Sequence, residues 1–163
     1  MVKPRAKDCQ IVGMMHLFGD FWTWLIIREA FYGSTRFGDF QRNTGVAKNL
    51  LSERLSQLVE AGVLEKRDVG VQGTRFAYRL TEKGEALFPV LVAMFQWSSD
   101  HLYGEGRAPV AMLDRTTGAP IARIETRSED GRALSHRDID IRPGPGASSA
   151  TLRRLGAGGD AET

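Results

Sequence analysis

One cysteine and three histidines are the side chains of this sequence with the readiest metal or nucleophile chemistry, and their placement denies them most of it. Cys9 has no second cysteine to pair with, so an intrachain disulfide and a multi-cysteine zinc site are both excluded. His16, His101 and His136 lie far apart without paired ligand spacing, so no metal is expected. No Ser, His and acid arrangement, no phosphate-cradling loop and no G-x-G-x-x-G after a strand gives catalysis a foothold, so no enzyme, no catalytic residue and no cofactor is expected. What remains is a run of polar side chains between residues 48 and 56, whose use depends on the elements that hold them.

Those elements can be read from apolar spacing. Residues 11–18 and 21–32 predict two helices parted at Gly19, the second capped by Asp20 and stopped by Gly33 and Ser34. Residues 36–43 predict a short helix, Thr44, Gly45 and Val46 a tight turn, and residues 47–61 a longer helix ended by Gly62. On that longer helix Leu51, Leu55, Leu58 and Val59 form one apolar stripe, with Asn49, Ser52, Glu53 and Ser56 on the opposite side. Turn-prone residues 70–73 and the alternation of Phe76, Tyr78 and Leu80 with Ala77 and Arg79 predict a β-hairpin. A helical run follows from Thr81 to about Leu102, loosened or bent at Gly84 and Pro89, with more apolar surface than a small core needs. Residues 110–113, 121–124 and 139–141 read as short β pieces, and the Gly, Ala, Ser and Pro-rich stretch from Pro143 reads as a mobile tail.

Helix, turn, helix is the arrangement that offers its second helix to the major groove, where each base pair shows a distinct pattern of donors and acceptors. Lys48 suits a phosphate or a guanine, Asn49 an adenine, and Ser52 and Ser56 either phosphate or base edges. Arg36, Gln41 and Arg42 flank the first helix of the motif as phosphate contacts. At the hairpin tip, Gln72, Gly73, Thr74 and Arg75 can enter a minor groove. The competing reading of each is a solvated helix face or a plain surface hairpin. Arg54 lies beside the apolar stripe, where an internal ion pair with an acid such as Asp39 competes with a DNA contact.

The residues filling this order resemble one family, the HxlR-type transcriptional regulators. The matching pieces are Phe18-Gly19-Asp20 with Trp22-Thr23, Arg28-Glu29, Arg36-Phe37-Gly38-Asp39-Phe40-Gln41, Asn49-Leu50-Leu51-Ser52 with Arg54-Leu55 and Leu58, Glu60-Ala61-Gly62-Val63-Leu64, Tyr78-Arg79-Leu80-Thr81 with Lys83-Gly84, and Gln96-Trp97. The resemblance covers residues 9–102 and implies a homodimeric winged-helix DNA binder whose interface uses its N-terminal and C-terminal helices. Residues 110–147 resemble, more weakly, an extension that in longer members carries paired cysteines in a zinc-ribbon-like layout, and this sequence has none there. Some members sense oxidants or electrophiles through an N-terminal cysteine, which makes Cys9 a candidate redox-sensing residue. Lys7 and the helix starting near Ile11 would stabilise its thiolate, and an inert, partly packed thiol is the alternative.

The expected fold class is therefore α+β: a winged helix-turn-helix domain with flanking dimerisation helices over residues 1–104, a small β appendage over 105–142 and a flexible tail over 143–163. A chain of 163 residues with 42% hydrophobic and 26% charged residues has room for one such core, and its net charge of +2 is too small to identify a polyanionic partner. No apolar run is long enough for a membrane span, so a cytoplasmic location is expected. The resemblance implies a bacterial-type regulator with double-stranded DNA and a second copy as partners, and a pocket between its apolar helices would suit a small-molecule effector. Two other readings stand beside it. One is a winged-helix protein-interaction module, favoured by Glu53 on the exposed face; the other is a small-molecule-binding or catalytic protein using the appendage.

Overall fold

Helix α1 (Gln10–Phe18) stops at Gly19, and α2 (Phe21–Phe31) begins after Asp20. Asp20 fixes that start, since its carboxylate accepts from the N–H groups of Trp22 at 3.0 Å and Thr23 at 3.1 Å, donors that a first turn leaves without partners. Helices α3 (Phe37–Thr44) and α4 (Lys48–Glu60) are joined through Gly45, whose φ of +72° is open to glycine at no steric cost and whose N–H returns to the Gln41 carbonyl at 2.9 Å. This is the expected helix-turn-helix. The computed structural model describes residues 9–70 and 75–156.

Helix α2 is the centre of the packing, against α1, α3, α4 and the hairpin. Ile26 and Ile27 from α2, Phe40 from α3, and Leu51 and Leu55 from α4 have no exposed surface, and Leu58, Val46, Val63 and Leu64 complete the core. Burying each leucine of the α4 stripe contributes about 2 kcal/mol, which is why the spacing of Leu51, Leu55 and Leu58 dictates the orientation of this helix. Val59, at the margin of the stripe, is half-buried.

Strands β1 (Leu64–Asp68) and β2 (Phe76–Leu80) pair antiparallel, with Leu64 opposite Leu80 and Asp68 opposite Phe76. Ala77 is the buried residue of β2; Phe76 is exposed, and its ring is covered by the Lys66 ammonium on the facing strand at 3.9 Å. The end of β2 then closes the end of α4. The Thr81 hydroxyl donates to the Gly62 carbonyl at 2.6 Å, its amide to that of Val63 at 3.1 Å, and the Lys83 ammonium to that of Ala61 at 2.7 Å.

The helical run expected over 81–102 is interrupted: α5 (Glu82–Glu85) ends after four residues, α6 (Phe88–Ser98) begins anew, and a π-helical turn occupies Ser99–Tyr103. Gly84 lies so close to the Val63 carbonyl that a Cβ would sit 2.2 Å from its oxygen, and Pro89 occupies the first turn of α6, where its missing N–H costs nothing. The described chain forms two compact units, one reaching Glu85 and resuming at Asp140, the other running from Ala86 to Ile139.

The small β appendage contains, among its described residues, only the isolated bridges Leu113↔Pro120 and Arg127↔Ala133 in place of strands. β-branched residues at 121–124 read as a strand, but a strand needs a partner ladder. The Gln96 side chain takes that role, donating from Nε2 to the Ala122 carbonyl at 2.9 Å and accepting from the Ile124 N–H at 2.8 Å. The tail expected from 143 contains α7 (Ser149–Arg154), because Ser148 caps it by accepting from the Thr151 N–H at 3.3 Å and the residues that follow are tolerated in a helix. No helix among the described residues is long and apolar enough to cross a membrane.

Candidate nucleic-acid interface

Helix α4 presents two unlike sides. Leu51, Leu55 and Leu58 are buried, while Asn49, Ser52 and Ser56 are exposed on the other side and Lys48 is exposed at the first position of the helix. The N-cap position is Ala47, which supplies no side-chain acceptor, so the first N–H groups of α4 have no capping side chain and keep the partial positive charge of a helix start.

Two further side chains share this surface and were not among the expected contacts, Glu53 and Gln57, both exposed. They are organised by Arg54, whose Nη1 donates to Glu53 Oε1 at 2.9 Å and to Gln57 Oε1 at 2.9 Å. Arg54 Nε lies 3.1 Å from Asp20 Oδ2 without an aligned N–H, an attraction of charge rather than a hydrogen bond. The ion pair expected of Arg54 thus exists with Asp20 in place of Asp39. Asp39 lies one turn before Arg42 on α3 and pairs with it at 2.6 Å. Burial pushes the Asp20 carboxyl up, but the Thr23 hydroxyl and amide and the Arg54 charge outweigh it and hold the group below the ordinary aspartate range.

Arg36 stands exposed at the start of α3, Gln41 is half-buried, and Arg42 is exposed with part of its charge answered by Asp39. On the hairpin, Gln72, Gly73 and Thr74 lie outside the described residues. Arg75 is exposed, and its N–H shares Asp68 Oδ1 with that of Gly70 at 3.3 and 2.9 Å.

The position of α3 depends on a buried acid that spacing alone does not reveal. Glu29, 5% exposed, accepts from Arg28 Nη2 at 2.8 Å, Asn43 Nδ2 at 2.9 Å and Ser34 Oγ at 3.3 Å, tying α2 to the loop before α3 and to the end of α3. The signal in the sequence is a charged residue inside an otherwise apolar helix, a position that burial allows only with partners.

Cys9 is a free, half-buried thiol at the N-cap of α1. The backbone N–H groups of Val12 and Ile11, with the Arg154 guanidinium, hold it below the ordinary cysteine value. Arg154 of α7 supplies the nearby positive charge among the described residues, and Lys7 lies outside them. Thiol and guanidinium line one cavity of about 400 Å³. His101 sits against the Trp97 ring at 5.1 Å between centroids, and His136 opens a 3-10 turn, both remote in sequence from His16 of α1.

A two-stranded wing following a helix-turn-helix, with a polar outer face on the second helix, defines a winged helix-turn-helix protein of the transcriptional-regulator type. The pattern of the HxlR-like helix-turn-helix family matches residues 17–105, and the chain belongs to that family. The helix-turn-helix-type transcriptional regulator Rv3095 of Mycobacterium tuberculosis is 36% identical over 132 residues, covering 81% of this chain and 84% of the relative. That stretch is longer than residues 17–105, so the likeness continues outside the helix-turn-helix part. The crystal structure of PA1607 superposes with a TM-score of 0.77 at 40% identity, over 83% of this chain and 95% of that one. PA1374 from Pseudomonas aeruginosa superposes at 0.64 with 35% identity, over 90% and 100%. The relatives are transcriptional regulators, not enzymes, and the family implies DNA as a partner.

Proposed function

We propose that the chain is a bacterial cytoplasmic regulator, acting as a repressor, that binds duplex DNA as a homodimer with α4 in the major groove and the hairpin against the neighbouring backbone. The observation that carries this reading is the division of α4: one side is sealed into the core, while Lys48, Asn49, Ser52 and Ser56 stand exposed beyond an uncapped helix start. Lys48, Arg36, Arg42, Thr74 and Arg75 supply phosphate contacts, and Asn49, Ser52 and Ser56 reach base edges. Exposed apolar side chains support a second copy as partner: Ile11 and Met15 one turn apart on α1, and Val90, Met94 and Trp97 at helical spacing on α6. A two-fold dimer reads a pseudo-palindrome with half-sites about 34 Å apart, and a small-molecule effector would act by changing the separation of the two α4 helices.

Fluorescence anisotropy with duplexes from the chain's own promoter region at several salt concentrations tests this. Binding that favours one duplex, falls steeply with salt and weakens in Lys48→Ala and Asn49→Ala is the expected result. Indifference to sequence and to both substitutions returns the chain to the interaction-module reading. The lowered thiol of Cys9 supports oxidant or electrophile sensing, and it is expected to react with iodoacetamide at neutral pH faster than free cysteine; an equal or slower rate removes that role.

A further inference from the structure

The DNA-binding reading uses Lys48, Asn49, Ser52 and Ser56 and leaves an acid on the same surface unexplained. Glu53 follows Asn49 by four residues and precedes Gln57 by four, so the three side chains form one row along α4. A carboxylate there repels every phosphate of a duplex, and the packed side of the helix is complete without it.

Its setting is nevertheless ordered. Glu53 Oε1 accepts from Arg54 Nη1 at 2.9 Å and from Gln57 Nε2 at 3.2 Å, while Arg54 Nη1 also bonds Gln57 Oε1 at 2.9 Å, closing a ring of three side chains. Asp20, itself fixed as the cap of α2, holds Arg54 from the core side. One carboxylate oxygen is thus committed to the protein, and Oε2 takes no hydrogen bond from the described residues. An ionised carboxylate only accepts. In the major groove the groups that donate are the amino groups of cytosine and adenine, and the adenine amino group sits beside an acceptor nitrogen that a carboxylate avoids.

We infer that Glu53 is a specificity-determining residue that accepts from the N4 amino group of a cytosine in each half-site, with Arg54 as the positioning residue that fixes its carboxylate. This rests on the placement of α4 in the major groove proposed above. Glu53 works by exclusion as much as by attraction. Where the cytosine is replaced by guanine or thymine the carboxylate meets an acceptor, and on unrelated DNA it meets phosphates, so it lowers affinity for every sequence but the right one. One guanidinium shared by Asp20 and Glu53 softens that repulsion without cancelling it.

The test is enrichment from a randomised duplex pool by the full chain, followed by anisotropy on the enriched duplex and its single-base-pair variants. The wild type is expected to enrich one cytosine per half-site and to lose about tenfold in affinity when it is changed to thymine. Glu53→Gln, of the same shape but able to donate as well as accept, is expected to lose that preference, bind unrelated duplex more tightly and keep its preferences elsewhere. Arg54→Lys, which keeps the charge but cannot bridge the same partners, is expected to blur the same position, whereas Lys48→Ala weakens all duplexes alike and leaves the cytosine preference intact. A Glu53→Gln variant with unchanged preference at every position overturns the inference while leaving DNA binding standing. A wild type that enriches no sequence overturns the DNA-reading function itself, and this inference with it.

Discussion

In the first unit Ile26, Phe40, Leu51 and Leu55 have no contact with water, whereas no residue between 105 and 139 is buried. The extension is shaped by short-range bonds instead. Asp114 Oδ1 accepts from the N–H groups of Thr116 at 2.7 Å and Thr117 at 2.9 Å, and Asp138 Oδ2 from that of Ser135 at 2.8 Å. Its apolar side chains stay open, with Leu113 53% and Ile124 46% exposed. Burial removes area from water cooperatively, while an exposed hydrogen bond exchanges one partner for another at a net gain of about 1 kcal/mol or less. The contrast teaches that the core of the helix-turn-helix decides whether the chain folds, and that the extension takes its form residue by residue.

The sharpest way to break this contrast is a truncation in each region. Leu55→Ala is expected to cost about 3 kcal/mol in urea unfolding, since it removes fully buried methyl groups and leaves a cavity. Glu29→Ala is expected to cost about 1 kcal/mol by removing the bonds that join Arg28, Ser34 and Asn43 through one carboxylate, since Ser34 and Asn43 keep their own bond at 3.2 Å, and to loosen α3 relative to α2 in hydrogen exchange.

Asp20→Asn keeps a capping oxygen but removes the charge facing Arg54, and solvent screening limits the loss to under about 1 kcal/mol at neutral pH. Because the folded-state value of Asp20 is depressed, its stabilisation is present in full above the ordinary aspartate range and is lost as pH falls through the folded value. The difference between wild type and Asp20→Asn in thermal melts is therefore expected to close on acidification, and a difference that widens would contradict the assignment. Leu113→Ala is expected to change stability by less than about 0.5 kcal/mol, and a loss approaching that of Leu55→Ala would erase the distinction between the two regions.

What could be read in advance follows the same division. The stripe of Leu51, Leu55 and Leu58, the capping Asp20 and the turn at Gly45 are local signals, each with a mechanism confined to a few residues, and each appears where its spacing places it. The Glu29 hub joins residues up to 14 apart in sequence, and Arg54 reaches back to Asp20, so spacing could show that a charge lay beside the stripe without telling which acid would meet it. In the extension residues 121–124 read as a short β piece, but pairing is a property of two segments, and a glutamine side chain filled the place of the second. Composition hid α7 as well, since Gly and Pro around it mask the capping pattern from Ser148 to Thr151.

The closure of α4 by Thr81 and Lys83 bears on how such a regulator can diverge. The helix is fastened along its apolar side and at its C-terminal end by groups that lie outside it, so none of the exposed positions 48, 49, 52, 53, 56 and 57 is needed to keep it in place. Substitutions there can accumulate, or be introduced by design, without debt to the fold, and a duplicated copy of the gene could acquire a new target by changes confined to about three turns of one helix.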